Sequence, residues 1–236
     1  MERVLIYNGI RSADYGVAIS GEGVWTKPSP VIERIQVPGR NGDILRWDGS
    51  YDNISITYRC GIRCDFPEKF NAFVAMLLAD PGYHRLEDTY NPEHYRIGML
   101  TDISEITPGR NNRWGTFTIT FDCKPQNYLK VGENEITYSA NSTLLNPTAY
   151  TAKPLLTVLG AGYYYIGTVR FMITTSSLGE IIIDTETEDC YSSTGLSRNA
   201  YIILDNYTMP TLPPGQTGIR VPSGGSIKIK PRWWAL

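Results

Sequence analysis

The chain has 236 residues, of which 42% are hydrophobic and 19% charged; this is a globular composition, it excludes a disordered polymer, and the length suits two domains with a core each. The formal net charge of −2 provides no basic excess to recruit nucleic acid. Met1–Asn8 holds no apolar leader and no run of eighteen apolar residues occurs, so neither a secretory route nor a membrane span is expected.

Period-two patterning dominates the first half. Val31–Val37 and Leu45–Trp47 are predicted strands, and Pro38–Asp43 between them contains Asn41-Gly42, a strong hairpin signal. In Ile54–Cys64 every even position is apolar or cysteine, the pattern of a strand with one buried face. Both Cys60 and Cys64 are then expected to point inward. Four residues of strand separate them by about 13 Å at about 3.3 Å per residue, too far for a disulfide, which needs Cα atoms within about 7 Å.

A single helix follows. Asp65 is placed to cap it, Pro67 suits its first turn and Glu68 stands at capping-box spacing. Phe70, Phe73, Val74, Leu77 and Leu78 recur on one face, and Asp80-Pro81-Gly82 stops the pattern. The run Gly82–Arg96 mixes tyrosines, arginines and carboxylates with one proline and holds no catalytic set. Thr107–Arg113 is a second turn, and Phe117, Ile119, Phe121 and Cys123 give another inward strand face.

A domain break is expected near Val131-Gly132-Glu133, dividing the chain into 1–132 and 133–236. Beyond it the strands Leu155–Leu159, Ile166–Ile173, Ile181–Asp184, Ala200–Leu204, Ile219–Val221 and Ile227–Lys230 are punctuated by turns such as Leu212-Pro213-Pro214-Gly215. Short strands at this spacing predict a β-sandwich. The fold class is therefore mainly β, a β-rich first domain with one helix followed by a sandwich.

Few residues suggest chemistry. Asp184, Glu186 and Glu188, if on one strand, share a face with neighbours about 7 Å apart, a spacing that overlaps paired glycosidase carboxylates or a calcium site; a solvated sheet face or hairpin explains them as well. Gly160-Ala161-Gly162 opens a β pattern and not a helix, which excludes a dinucleotide loop. Tyr163, Tyr164 and Tyr165 after it read as sugar-stacking rings or as an ordinary flank of a sandwich strand. His84 and His94 have no paired nucleophile, and the four cysteines lack zinc-ligand spacing. No catalytic residue, cofactor or metal is expected. The sequons at Asn53, Asn141 and Asn206 are read as chance matches, since they require a secretory route. Trp233-Trp234 caps a core or docks on a neighbour. Arg85, Glu87, Asp88, Arg96, Arg110 and Arg113 lie beside Tyr83, Tyr90, Tyr95 and Trp114. Each alone suits a solvated surface; together they have the tyrosine, tryptophan and arginine content of an interface.

Several segments, in order, carry a resemblance: Val37–Gly42; the helix with the Gly82–Arg96 run; Phe121-Asp122-Cys123-Lys124-Pro125-Gln126; Asn146-Pro147-Thr148 with Ala152-Lys153-Pro154-Leu155-Leu156; Leu212–Gly215; and Pro231-Arg232-Trp233-Trp234. Together they resemble the distal tail protein (Dit) family of long-tailed, siphovirus-type bacteriophages, over nearly the whole length. The resemblance implies an N-terminal domain that assembles into a hexameric ring and a C-terminal sandwich similar to galectins and carbohydrate-binding modules. It implies a structural role at the virion tail tip or baseplate and no enzyme activity. The ring would join the tail tube protein to tail-tip and receptor-binding proteins and leave a channel through which DNA passes without specific binding. Under it, Arg85, Glu87, Asp88, Tyr90, Tyr95, Arg96, Arg110, Arg113 and Trp114 are expected at subunit contacts. The alternative reading is a module that contacts host cell-surface glycans through Tyr163–Tyr165; the chain has no room for the extra sugar-binding insertion of some members.

Overall fold

The computed structural model describes residues 3–20 and 25–236, so the first two positions of the N-terminal segment lie outside the described residues. The chain divides into two compact units, Met1–Asn127 with Leu236, and Tyr128–Ala235. It is mainly β, with one α-helix among the described residues.

The first unit contains β1 (Leu5–Tyr7), β2 (Ile10–Arg11), β3 (Val17–Ile19), β4 (Pro30–Ile35), β5 (Ile44–Tyr51), β6 (Ile54–Ile62), α1 (Phe66–Leu78), β7 (His84–Asp88), β8 (His94–Pro108) and β9 (Gly115–Cys123). Seven strands form an antiparallel sheet in the order β2-β1-β7-β8-β9-β6-β3. The central pair runs in unbroken register from Ile54↔Cys123 to Ile62↔Gly115. Its alternation puts Ile54, Ile56, Tyr58, Cys60 and Ile62 with Phe117, Ile119, Phe121 and Cys123 on one buried face. Onto that face α1 lays Phe66, Phe73 and Leu77, with Phe70 edge-on to Phe117 at 5.0 Å between ring centres. Gly115 permits this approach, because a Cβ there would stand 2.4 Å from the Phe66 ring.

The helix departs from expectation at both ends. Asp65 makes no side-chain cap, because its backbone is left-handed (φ 53°) and turns the carboxylate away; the Asp65 carbonyl instead accepts the Lys69 N–H at 3.1 Å. Leu78 is exposed at 60%, so the buried stripe ends at Leu77. Cys64 also differs. The strand stops at Ile62, the alternation lapses, and Cys64 is exposed while Cys60, Cys123 and Cys190 are buried; all four are free thiols.

The β4–β5 hairpin forms a separate two-stranded sheet. Every residue from Pro30 to Ser50 is exposed, and Tyr51 is half-buried.

Strand β10 (Asn127–Leu129) spans the passage between units. The second unit then runs β11 (Ile136–Tyr138), β12 (Ser142–Asn146), β13 (Leu155–Leu159), β14 (Gly162–Ile166), β15 (Val169–Ile173), β16 (Ile181–Asp184), β17 (Asp189–Tyr191), β18 (Ile202–Leu204), β19 (Gly215–Arg220), β20 (Ser226–Lys230) and β21 (Trp234–Ala235). Two five-stranded antiparallel sheets, β11-β20-β13-β16-β17 and β12-β19-β14-β15-β18, enclose one core. Leu156, Val158, Ile183, Ile227 and Ile229 from the first meet Tyr164, Ile166, Phe171, Ile173 and Ile219 from the second. The expected strand Ile166–Ile173 is in fact two, folded back at Gly167 (φ 59°), with Ile166 paired to Val169.

Candidate functional site

The residues singled out in the sequence as contact candidates fall into two groups at opposite ends of β8. Fourteen positions separate Arg96 from Arg110, roughly 40 Å or more of extended chain at about 3.3 Å per residue. They cannot share one patch on a single copy.

The first group is a packed polar network. Arg85 and Glu87, on β7, form an ion pair, and the Arg85 guanidinium lies 3.9 Å over the buried Tyr95 ring. Asp88 ends the strand as an acceptor: the Tyr58 hydroxyl donates to it at 2.8 Å, and the Tyr90 and Asn91 N–H groups at 2.9 and 3.0 Å. Burial raises the Tyr58 pKa well above its usual range, and the Asp88 carboxylate raises it further. Arg96 Nη1 is buried without a hydrogen-bond partner, and desolvation pulls the Arg96 pKa down. Within this set Tyr95 is buried, and Arg85, Glu87, Asp88, Tyr90 and Arg96 are half-buried. Asp88 and Tyr95 shape the fold of their own copy.

The second group is open. Arg110 and Arg113 are exposed, and Trp114 is 48% exposed. The Trp114 ring covers Gly109, where a Cβ would stand 2.0 Å from it, so the glycine lets the tryptophan lie flat on the turn. Trp114 also borders a groove of about 930 Å³, with Ile19, Cys64, Lys69, Glu105 and Phe117 among its walls. Lys69 Nζ sits 3.0 Å from Cys64 Sγ there.

The hairpin, by contrast, carries a signal that composition alone did not assign to function. Val31, Ile32, Ile35, Ile44, Leu45 and Trp47 are 39–62% exposed. Apolar side chains on an isolated two-stranded sheet bury little against one another, and such a hairpin is marginally stable in water. The sequence cue was present as two apolar strands around Asn41-Gly42; what it lacked was any sign that, among the described residues, no layer of the same unit covers them.

The acidic run does not form a paired-carboxylate site. Strand β16 ends at Asp184, and Thr185–Glu188 is a turn with Glu188 left-handed (φ 58°), so the three carboxylates share no strand face. Asp184 is engaged by a fork from Arg232, Nη1 at 2.7 Å and Nη2 at 2.9 Å. Its burial alone would raise the carboxyl pKa; the Arg232 fork and the Glu186 N–H outweigh this and hold it below its usual value. Among the described residues no cluster of three or more histidine, cysteine or acidic side chains is arranged to hold a metal.

The tyrosine triplet is split by the pleat. Tyr164 is fully buried, and its hydroxyl donates to the Leu159 and Gly160 carbonyls at 2.7 and 3.0 Å, tying the bend at Gly160–Gly162. Only Tyr163 and Tyr165 face out, beneath Arg170 and Arg220. Other expected sites are structural too. His84 contacts the Asp80 carbonyl at 2.9 Å and packs edge-on to Tyr7. Trp233 is buried in the second core, while Trp234 stacks on Tyr150 at 4.5 Å and donates to the Thr151 carbonyl. Asn146 is buried, donating to the Tyr150 and Leu212 carbonyls and accepting the Thr148 N–H.

The sequence matches no protein-family model, and no curated protein matches it significantly. Its structure does have solved counterparts. The Dit protein (gp 19.1) of phage SPP1, described as a paradigm of the hub adsorption apparatus in phages infecting Gram-positive bacteria, superposes with a TM-score of 0.75 at 13% identity, over 97% of this chain and 98% of that one. Chains of the phage P2 baseplate in its activated conformation, with calcium and with strontium, give TM-scores of 0.56 and 0.55, both at 13% identity and over 97% of each chain. At that identity the likeness is one of fold, and along nearly its whole length this chain has the fold of the Dit tail-hub protein.

Proposed function

We propose that this chain is a structural subunit of a phage tail tip or baseplate, a hub that closes into a homohexameric ring, joins the tail tube protein to tail-tip and receptor-binding proteins, and leaves a channel for DNA. The likeness to hub and baseplate proteins supports the tail role. The observation that carries the ring is the β4–β5 hairpin. A two-stranded sheet with Leu45 62% and Trp47 52% exposed is only marginally stable as a free element, and a second copy of the chain is the partner always at hand. A hairpin of one copy seated on the next is a head-to-tail contact, and such contacts close rings when the rotation permits. The groove bordered by Trp114 and Phe117 offers the receiving surface.

Light scattering of the purified chain tests this. Six copies of the 26.5 kDa chain give a particle of about 160 kDa, and the double variant Leu45→Ser/Trp47→Ser is expected to remain monomeric. A strict monomer at every concentration, or a ring unaffected by the double variant, would remove the hairpin from this role.

A further inference from the structure

One face of the second unit has a composition unlike a solvated surface. Tyr164, Ile166, Phe171, Ile173 and Ile219 point into the core, so alternation turns Tyr163, Tyr165, Arg170, Met172 and Arg220 outward from the β12-β19-β14-β15-β18 sheet. Tyr163 pairs with Met172 and Met172 with Ile203, so these three make one continuous cross-strand row. Tyr163 is 50% and Ile203 53% exposed, and Leu145, on β12 of the same sheet, is 60% exposed. The five strands contain no aspartate, glutamate or lysine. Their charges are two arginines, each over a tyrosine: Arg170 at 5.0 Å from Tyr163 and Arg220 at 5.7 Å from Tyr165. Asp205 neutralises Arg170 at 2.7 Å. Arg220 forms no ion pair among the described residues. Beside Asp205, Tyr207 is almost wholly exposed on a left-handed backbone (φ 53°).

Tyrosine, arginine, methionine and isoleucine, with lysine and acids excluded, is the residue set of a protein-interface centre. Stacking holds an arginine flat and oriented toward a carboxylate. We propose that this face docks an acidic polypeptide segment of a partner protein, with its apolar side chains on the Tyr163–Met172–Ile203 row and a carboxylate on Arg220. The inference rests on the hub reading and names the kind of partner that the hub would carry. Charge complementarity selects the occupant. One uncompensated cation is too little for a polyphosphate chain, whose binding requires a cation per phosphate contacted. The aliphatic ends of Leu145 and Ile203 have no complement on a saccharide.

Fluorescence anisotropy on the full chain tests it, using a synthetic peptide of alternating leucine and glutamate, its leucine–glutamine and leucine–lysine counterparts, a hyaluronan oligosaccharide and oligo-dT. The acidic peptide is expected to bind about fivefold tighter than the glutamine peptide at low salt, the scale of an exposed ion pair, with the advantage lost near 1 M salt, where screening reaches about 3 Å. Arg220→Ala should abolish that preference, Arg220→Lys should retain it, and Ile203→Ser should weaken both peptides alike. Equal binding of the three peptides, a preference unchanged in Arg220→Ala, or stronger binding of the oligosaccharide or oligo-dT would overturn the proposal. Should Arg220→Ala fail to fold by its thermal melt, the Arg220→Gln and Arg220→Lys pair decides in the same way. Light scattering on the same samples reports the ring separately: an intact ring without peptide preference counts against this face alone, and a monomer that keeps the preference counts against the ring alone.

Discussion

The β6–β9 ladder and the β4–β5 hairpin are alike in local chemistry, and β6 follows β5 directly, yet they end in opposite environments. Both are antiparallel pairs rich in branched and aromatic residues. In the ladder Ile119 and Phe121 are wholly buried, because α1 closes over that face. In the hairpin Leu45 and Trp47 stand more than half exposed. Strand propensity is therefore no guide to where apolar area goes; that depends on whether a second layer is present. An apolar strand pair with no layer of its own points to a layer supplied from elsewhere.

Four measurements would break or sharpen this contrast. The largest effect is expected in thiol reactivity. Burial pushes Cys60 and Cys123, in the ladder, up to about 12 and Cys190 to about 11, whereas Cys64 lies just past the ladder and is exposed. With a disulfide reagent at pH 8, one thiol per native chain should react, and the others should lag by about a thousandfold. Fast labelling of two or more would contradict the burial. Next, Phe121→Ala removes a fully buried ring of the ladder and should cost about 3–5 kcal/mol in denaturant unfolding.

Between the extremes lies the part-buried Arg232–Asp184 fork. Arg232→Met leaves Asp184 without its partner and should cost about 1–3 kcal/mol. The Asp184 pKa is depressed in the folded chain, so the contribution is complete above the ordinary carboxylate pKa of about 3.9 and is lost as pH falls through the lowered value. Unfolding curves of the native and Arg232→Met chains should thus converge in acid. The smallest effect on the chain itself is expected from Leu45→Ser/Trp47→Ser, within about 0.5 kcal/mol by thermal melt at dilutions where both chains are monomeric, although the same variant should abolish assembly at higher concentration. A large loss of monomer stability would mean that the hairpin serves its own copy.

Much of the architecture could be read in advance from period. The inward faces Ile54–Cys60 and Phe117–Cys123, the helix with Phe73 and Leu77, and the half-buried Ile227–Lys230 strand follow from alternation and from the 3.6-residue repeat. The short strands β1, β2 and β3 were not legible, since two or three residues hold no period. Nor was β8, whose 15 residues His94–Pro108 bury only Tyr95 and Gly98 and whose pairing is broken by register shifts after Leu100 and Ser104. The contact candidates were harder still. Asp88 and Tyr95 have interface-type chemistry but spend it within their own unit, while Arg110, Arg113 and Trp114 remain open, and no local feature distinguishes the two groups.

By itself, then, the sequence determined the β class, the lone helix and which strand faces are apolar, because backbone geometry converts residue spacing directly into sidedness. Only the tertiary structure decided which of those faces find cover. Sidedness is a property of a single segment, whereas burial is a relation between segments far apart in the chain: it put Tyr164 inside and Tyr163 outside, gave Asp184 to Arg232, and left the hairpin without a covering layer.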